Sequence, residues 1–210
     1  MRHLFRAATL RWVLLFAATV LLQVSCSETP ALPAIPQDGV ILAFGDSITF
    51  GTGAAEGESY PAVLARLSGR RVVNAGIPGE VSAAGTARLP EVLERERPAL
   101  LILCHGGNDM LARQDQRQIA DNLRSMLRMA RERGVPVILV AVPTPDLSLK
   151  PPALYGEVAS EFGVPIDQKS LPRILGTGSL KSDYIHPNAK GYAILAEALA
   201  GLMKKNGALK

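Results

Sequence analysis

The chain has 210 residues, enough for one domain with a full hydrophobic core. Hydrophobic residues make up 48% and charged residues 20%, a balance that excludes wholesale disorder. The formal net charge is +4, but Arg2, Arg6 and Arg11 all precede the first acidic residue, Glu28. With those three set aside, 20 basic residues face 19 acidic ones, and the basicity gives no ground for a nucleic-acid partner.

The first predicted element is a targeting segment. A basic stretch carrying Arg2, Arg6 and Arg11 leads into an apolar run from Trp12 to Leu22, followed by Gln23-Val24-Ser25-Cys26. The run is short for a bilayer span, and its flanks suit a secretory signal. Residues 1–25 are therefore expected to be a signal peptide that sends the protein across the inner membrane into the periplasm. Ser25-Cys26 resembles the end of the lipobox of bacterial lipoproteins, although Gln23 stands where that pattern prefers an aliphatic residue. The resemblance implies lipid attachment at Cys26 and a membrane tether; the alternative is ordinary cleavage with Cys26 merely nearby. Three prolines lie between Glu28 and Asp38, and residues 26–39 read as a linker. The domain proper is expected over residues 40–207.

From Val40 onward, short apolar runs alternate with helical periodicity. Val40 to Phe44, Arg71 to Asn74, Ala99 to Cys104 and Val135 to Val142 read as strands, mostly as unbroken apolar runs that suit parallel strands buried on both faces. A weaker fifth strand is placed at Val164 to Ile166. Helices are predicted over Val81 to Arg97, around Ile119 to Ala130, over Leu154 to Phe162 and over Tyr192 to Met203. This alternation implies a three-layer α/β domain with a central parallel sheet and right-handed crossovers. In such sheets, sites form beyond the carboxyl ends of the strands.

The residues able to do chemistry fall at those ends. Gly45-Asp46-Ser47 follows the first strand, Asn74 to Gly79 the second, and His105-Gly106-Gly107-Asn108-Asp109 the third. Asp183-Tyr184-Ile185-His186-Pro187 precedes the last helix. Acyl transfer at serine needs a hydroxyl nucleophile, an imidazole base, a carboxylate to hold the imidazole's tautomer, and donors aimed at the oxyanion. Taken alone, Ser47 is a turn or helix-cap serine, His186 a loop histidine, and Gly79 and Asn108 turn residues; the joint occurrence at successive strand ends favours a site. His3 belongs to the leader. Cys104 and His105 are strand neighbours whose side chains point to opposite faces, so they make a poor nucleophile pair.

Gly45-Asp46-Ser47-Ile48-Thr49, Gly79, Gly106-Gly107-Asn108-Asp109 and Asp183-x-x-His186 resemble, in order, the four blocks of the SGNH (GDSL-type) hydrolase family. The resemblance runs over residues 40 to 204 and is nearest to the bacterial branch of acyl-CoA thioesterases, lysophospholipases and arylesterases. It implies a flavodoxin-like three-layer fold and a serine esterase acting through an acyl-enzyme on carboxylic esters, with thioesters and lysophospholipids as further candidates. Ser47 would be nucleophile, His186 base and Asp183 its orienting carboxylate. The Ser47 and Gly79 N–H groups and the Asn108 amide would form the oxyanion hole, with Gly76 as the other candidate for the glycine. Small ester or acyl substrates are expected, and neither metal nor organic cofactor. The alternatives are a carbohydrate O-deacetylase of the same family and a non-catalytic lipoprotein that binds acyl or glycan groups. His105 stands where that branch usually carries leucine, and the Pro143 to Pro152 loop departs from its substrate-loop pattern.

Overall fold

In a computed structural model, the chain is described from residue 32 to residue 210. The expected signal peptide and Cys26 lie outside the described residues. Five parallel strands form the central sheet: β1 (Val40–Gly45), β2 (Arg71–Gly76), β3 (Leu100–Cys104), β4 (Val137–Val140) and β5 (Ile166–Asp167), in the order β2-β1-β3-β4-β5. This is the flavodoxin-like order, in agreement with the expected fold class. The strands β3 and β4 are buried throughout and β1 nearly so, as their unbroken apolar runs require, whereas β2 lies at an edge and keeps half-exposed residues.

The helices are α1 (Ser47–Phe50), α2 (Tyr60–Ser68), α3 (Ser82–Glu96), α4 (Gly107–Leu111), α5 (Gln116–Glu132), α6 (Ala153–Phe162), α7 (Ser170–Leu175) and α8 (Ala189–Lys205). On one face of the sheet α2 and α7 pack against α8; on the other α5 packs against α3 and α6. The connection from β1 to β2 moves one way across the sheet and all later ones move the other way. Right-handed crossovers then put the intervening helices on opposite faces. Helix α2 was not delimited by the sequence pattern. Its Pro61 looks like a breaker, yet it sits in the first turn, where a missing N–H costs nothing.

Register brings the loops together. Gly45 pairs with Gly76 on one side and with Cys104 on the other, so the first three strands end level. Their following residues therefore share one edge of the sheet. Chain order reverses between β1 and β3, the switch point where such folds open a crevice.

The domain begins earlier than residue 40. Leu32 and Ile35 are buried, and their N–H groups donate to Asn206 O (2.7 Å) and Ala208 O (2.9 Å) beyond the end of α8. Ala208 and Leu209 are buried too, so packing extends past 207. The part of the linker stretch from residue 32 is thus folded onto the domain: its prolines suited an extended strap, and its two aliphatic residues anchor it.

Candidate active site

The strand β1 delivers Ser47 through a turn that only glycine permits. A Cβ on Gly45 would run into the Cys104 carbonyl and the Thr49 hydroxyl. Asp46 then caps α1, its Oδ1 accepting the Ile48 N–H at 3.1 Å, which leaves Ser47 as the first residue of the helix. The first N–H groups of a helix have no intrahelical acceptor, so the Ser47 amide is available to a ligand. Three fully buried tyrosines brace the loops here. Tyr60 of α2 bonds the Thr49 hydroxyl (3.1 Å), Tyr192 of α8 donates to Thr52 O (2.8 Å), and Tyr155 of α6 donates to His105 O (2.8 Å).

His186 arrives from the other end of the chain. Its segment folds back as a small local unit: Ser182 N–H donates to His186 O (3.0 Å), Asn188 N–H donates to Leu180 O (3.0 Å), and Lys181 bridges Pro187. Asn188 then caps α8 by accepting the Gly191 N–H at 3.1 Å. Within this turn one Asp183 oxygen, Oδ1, accepts the N–H groups of Ile185 and His186, each at 2.8 Å. The other, Oδ2, lies 2.8 Å from His186 Nδ1. His186 Nε2 lies 2.9 Å from Ser47 Oγ. Burial pushes the Asp183 pKa up, but the His186 ring and the two backbone N–H groups outweigh it and leave the carboxyl below its usual range. It therefore stays ionised opposite the imidazole.

The donor side comes from β2 and β3. Beyond β2, Ile77 N–H donates to Gly45 O (3.0 Å), tying that loop to the serine turn. Gly79 has φ +81°, left-handed backbone that favours glycine. Among the described residues no acceptor takes its N–H. The Gly76 N–H, by contrast, is spent on Asn74 Oδ1 at 3.0 Å. Beyond β3, Gly106 (φ +106°) turns the chain into α4, which carries Asn108. Asn108 Nδ2 donates to Glu80 O at 3.0 Å, and an amide nitrogen carries a second hydrogen for another acceptor. Asp109, fully buried, accepts the Ser82 N–H (2.8 Å) and the Ser82 hydroxyl, which also receives Asn122 Nδ2 (2.8 Å).

Serine, histidine and the Asn108 amide thus line one groove, whose walls are mainly apolar: Leu111, Val142, Leu149, Leu175 and Ile185. It is a shallow groove that stays open to solvent. Five of the six large hydrophobics exposed among the described residues stand on segments at this end of the sheet: Phe50, Ile77, Leu111, Leu147 and Tyr184. Among the described residues no three His, Cys, Asp or Glu side chains gather as a metal site.

Two further titratable side chains beside the serine turn have other surroundings. Asp46 is buried under the serine turn, where burial raises its pKa against the pull of His105 and the Ile48 N–H; its bonding is that of a cap. Cys104 is fully buried, and burial pushes its thiol well up, so it is no nucleophile with His105. His105 instead bonds Glu80 Oε2 through Nε2 at 3.0 Å. The Arg88 guanidinium grips that carboxylate at 2.8 and 2.6 Å, and the sequence pattern alone gives neither Glu80 nor Arg88 a role. A signal existed: Glu80 adjoins Gly79, and Arg88 lies about two helical turns on, while His105 was the polar departure at a strand end.

Comparison with known proteins adds an independent line. The model of the GDSL-like lipase/acylhydrolase family matches residues 43–194. Esterase TesA of Pseudomonas aeruginosa is 36% identical over 159 residues, 70% of this chain and 79% of that protein. Thioesterase 1/protease 1/lysophospholipase L1 of Escherichia coli K12 is 29% identical over 198 residues, 90% of this chain and 91% of that protein. The crystal structure of TesA is similar with a TM-score of 0.71 at 30% identity, covering 80% of this chain and 99% of that one.

Proposed function

Because the chain belongs to the GDSL-like lipase/acylhydrolase family and is a carboxylic ester hydrolase, we propose that Ser47 is its nucleophile, His186 its general base and Asp183 the carboxylate that orients the base. The observation that carries this reading is the unbroken relay from Asp183 Oδ2 through the imidazole to Ser47 Oγ, at 2.8 and 2.9 Å.

The chemistry follows from that geometry. Asp183 holds a proton on Nδ1, leaving Nε2 as acceptor for the Ser47 hydroxyl proton as Oγ attacks the ester carbonyl. The carbonyl oxygen becomes an oxyanion, for which we assign the N–H groups of Ser47 and Gly79 and the second Asn108 N–H as donors. His186 returns its proton to the departing alkoxide, leaving an acyl-Ser47. Water then donates a proton to Nε2 and attacks the acyl carbon, and His186 passes that proton to Ser47 Oγ as the acyl bond breaks, releasing the acid and the free serine hydroxyl.

The apolar groove favours esters with an apolar acyl part over the acetylated-sugar reading. The curated relatives named esterase and thioesterase extend the candidates to thioesters and lysophospholipids. We assign the domain to the periplasm, tethered by lipid at Cys26. That reading rests on the basic and apolar pattern of residues 2–22 and on Ser25-Cys26. Cys26→Ala should leave the protein soluble or unprocessed, and an unlipidated mature protein starting elsewhere, seen by mass spectrometry, overturns the anchor.

Turnover of p-nitrophenyl acetate, butyrate and octanoate tests the catalytic reading. Ser47→Ala should keep the fold and lose about 10⁴- to 10⁶-fold in kcat. Undiminished turnover in folded Ser47→Ala would remove the nucleophile, and no turnover by the unaltered protein would favour a binding lipoprotein.

A further inference from the structure

We infer that Glu80, clamped by Arg88 and His105, is a positioning residue for the oxyanion hole: it fixes the otherwise exposed Gly79 loop and the Asn108 amide relative to one another. This rests on the oxyanion assignment proposed above.

Residues 77 to 79 are exposed, and Glu80 is the first buried residue after β2. Its backbone does two things. The Glu80 N–H closes the turn on Ile77 O at 3.1 Å, setting the left-handed Gly79, whose N–H has no acceptor among the described residues. The Glu80 carbonyl accepts one Asn108 N–H at 3.0 Å and so selects the rotamer in which the other N–H can be offered to a ligand. One residue therefore stands between the two donors that do not belong to Ser47.

Its side chain, only 7% exposed, is what holds that backbone in place. Arg88 on α3 grips both carboxylate oxygens, and its NH2 group also donates to Ala75 O on β2 at 3.0 Å. The guanidinium lies 4.1 Å from the centre of the Phe44 ring on β1. His105, fully buried at the exit of β3, bonds the same carboxylate and packs at 5.7 Å from the same ring. The carboxylate thus ties the exits of β2 and β3 together across the end of β1, the three places from which the oxyanion donors come. Gly85 makes room for this: a Cβ there would strike the imidazole of His105. A bidentate Arg–carboxylate pair with a third buried donor is directional and stiff, which a donor set that works by preorganisation requires.

The test is a double-mutant cycle on the full chain with p-nitrophenyl butyrate, combining Glu80→Gln with Asn108→Ala. Rates are normalised to titratable Ser47 by reaction with a fluorophosphonate, so that partly unfolded protein does not count. A displacement of about 1 Å at a reacting group can cost about a hundredfold. Glu80→Gln alone should lower kcat about 10- to 100-fold with KM within about threefold, since the affected bonds strengthen only in the transition state. In the Asn108→Ala background the same change should cost clearly less than in the single variant, because one of the two donors it positions is gone and only its hold on the Gly79 N–H remains. Glu80→Asp, which keeps the charge at shorter reach, should recover part of the loss. Equal losses from Glu80→Gln in both backgrounds, or an unaltered kcat in the single variant, overturn the positioning role. If Asn108→Ala by itself leaves kcat unchanged, the oxyanion assignment fails first, and the proposal falls with it.

Discussion

Acid unfolding of Glu80→Gln measures how strongly the buried cluster is held together. Burial alone would raise the Glu80 pKa, but the hydrogen bonds and charges of Arg88 and His105 more than reverse this and bring it from 4.5 to about 2. A carboxyl whose folded pKa lies below its unfolded one contributes stability that is fully present above the unfolded value. That contribution is lost as the pH falls through the folded value. The separation corresponds to about 3 kcal/mol at neutral pH, of which about 2 kcal/mol is gone by pH 3. Glutamine cannot titrate, and it leaves Arg88 without its counter-charge, so at pH 7 the variant should be less stable by about 3 kcal/mol. Urea unfolding of both proteins at pH 7, 5, 4 and 3 is the assay. The gap between them should be flat from pH 7 to about 5.5 and should close by about 2 kcal/mol at pH 3. A gap independent of pH would show that the carboxylate's ionised form is not what the cluster stabilises, and the reasoning would be wrong.

Asp183→Asn should lower kcat by about 10²- to 10⁴-fold, and by more than Asp183→Ala does. The asparagine oxygen keeps the N–H groups of Ile185 and His186 and turns its NH2 toward Nδ1, forcing the ring proton to Nε2. Alanine at this half-exposed position leaves Nδ1–H to water. Steady-state kinetics on the pair check this, and an asparagine variant more active than the alanine one refutes the tautomer argument. Ile35→Ala should cost about 2 kcal/mol or more in urea unfolding without altering kcat, because the side chain is buried where Ala208 and Arg70 meet the strap, before the start of β1 and β2 and so at the opposite end of the sheet from Ser47. An unchanged midpoint would mean that residues 32–35 do not hold to the domain.

The parts of the molecule legible in the sequence are those whose cause is local. Strands β1, β3 and β4 could be read because they are buried on both faces and so carry no polar residue. Ser47 and Asn108 could be read because polar, reactive residues soon after such runs have little other reason to be there, and His186 because it is one of only two histidines outside the leader and stands three residues after Asp183. Helix α2 escaped because its first-turn proline looks like an interruption. The strap from Leu32 escaped because prolines suggest a linker, whereas its partners, Asn206 and Ala208, lie more than 170 residues on. The Glu80–Arg88–His105 cluster escaped for the same reason, although His105 stands out by itself as a polar residue at a strand end. A carboxylate beside a glycine and an arginine on a helix are ordinary surface residues until the sheet order brings β3 across to meet them.

That contrast also divides the site into two halves with different dependence on the fold. The base half is a short turn: Asp183 and His186 are three residues apart, bonded to each other's neighbourhood, and Asp183 stays half-exposed. Its geometry needs little beyond residues 180 to 188 and the start of α8. The donor half is assembled from β1, β2, β3 and α3 through buried polar contacts at long range, the Glu80 cluster on one side and the Asp109–Ser82–Asn122 contacts on the other. Small displacements in the core reach the donors through those contacts, but meet the histidine only where Ser47 and it converge. Core substitutions that loosen β3 against α3 should therefore reduce transition-state stabilisation before they disturb proton transfer. They would lower kcat per titratable Ser47 while the end-point stoichiometry of Ser47 with a fluorophosphonate stays unchanged, because an irreversible reaction run to completion counts folded serines whatever its rate, whereas kcat reports how well the oxyanion is held.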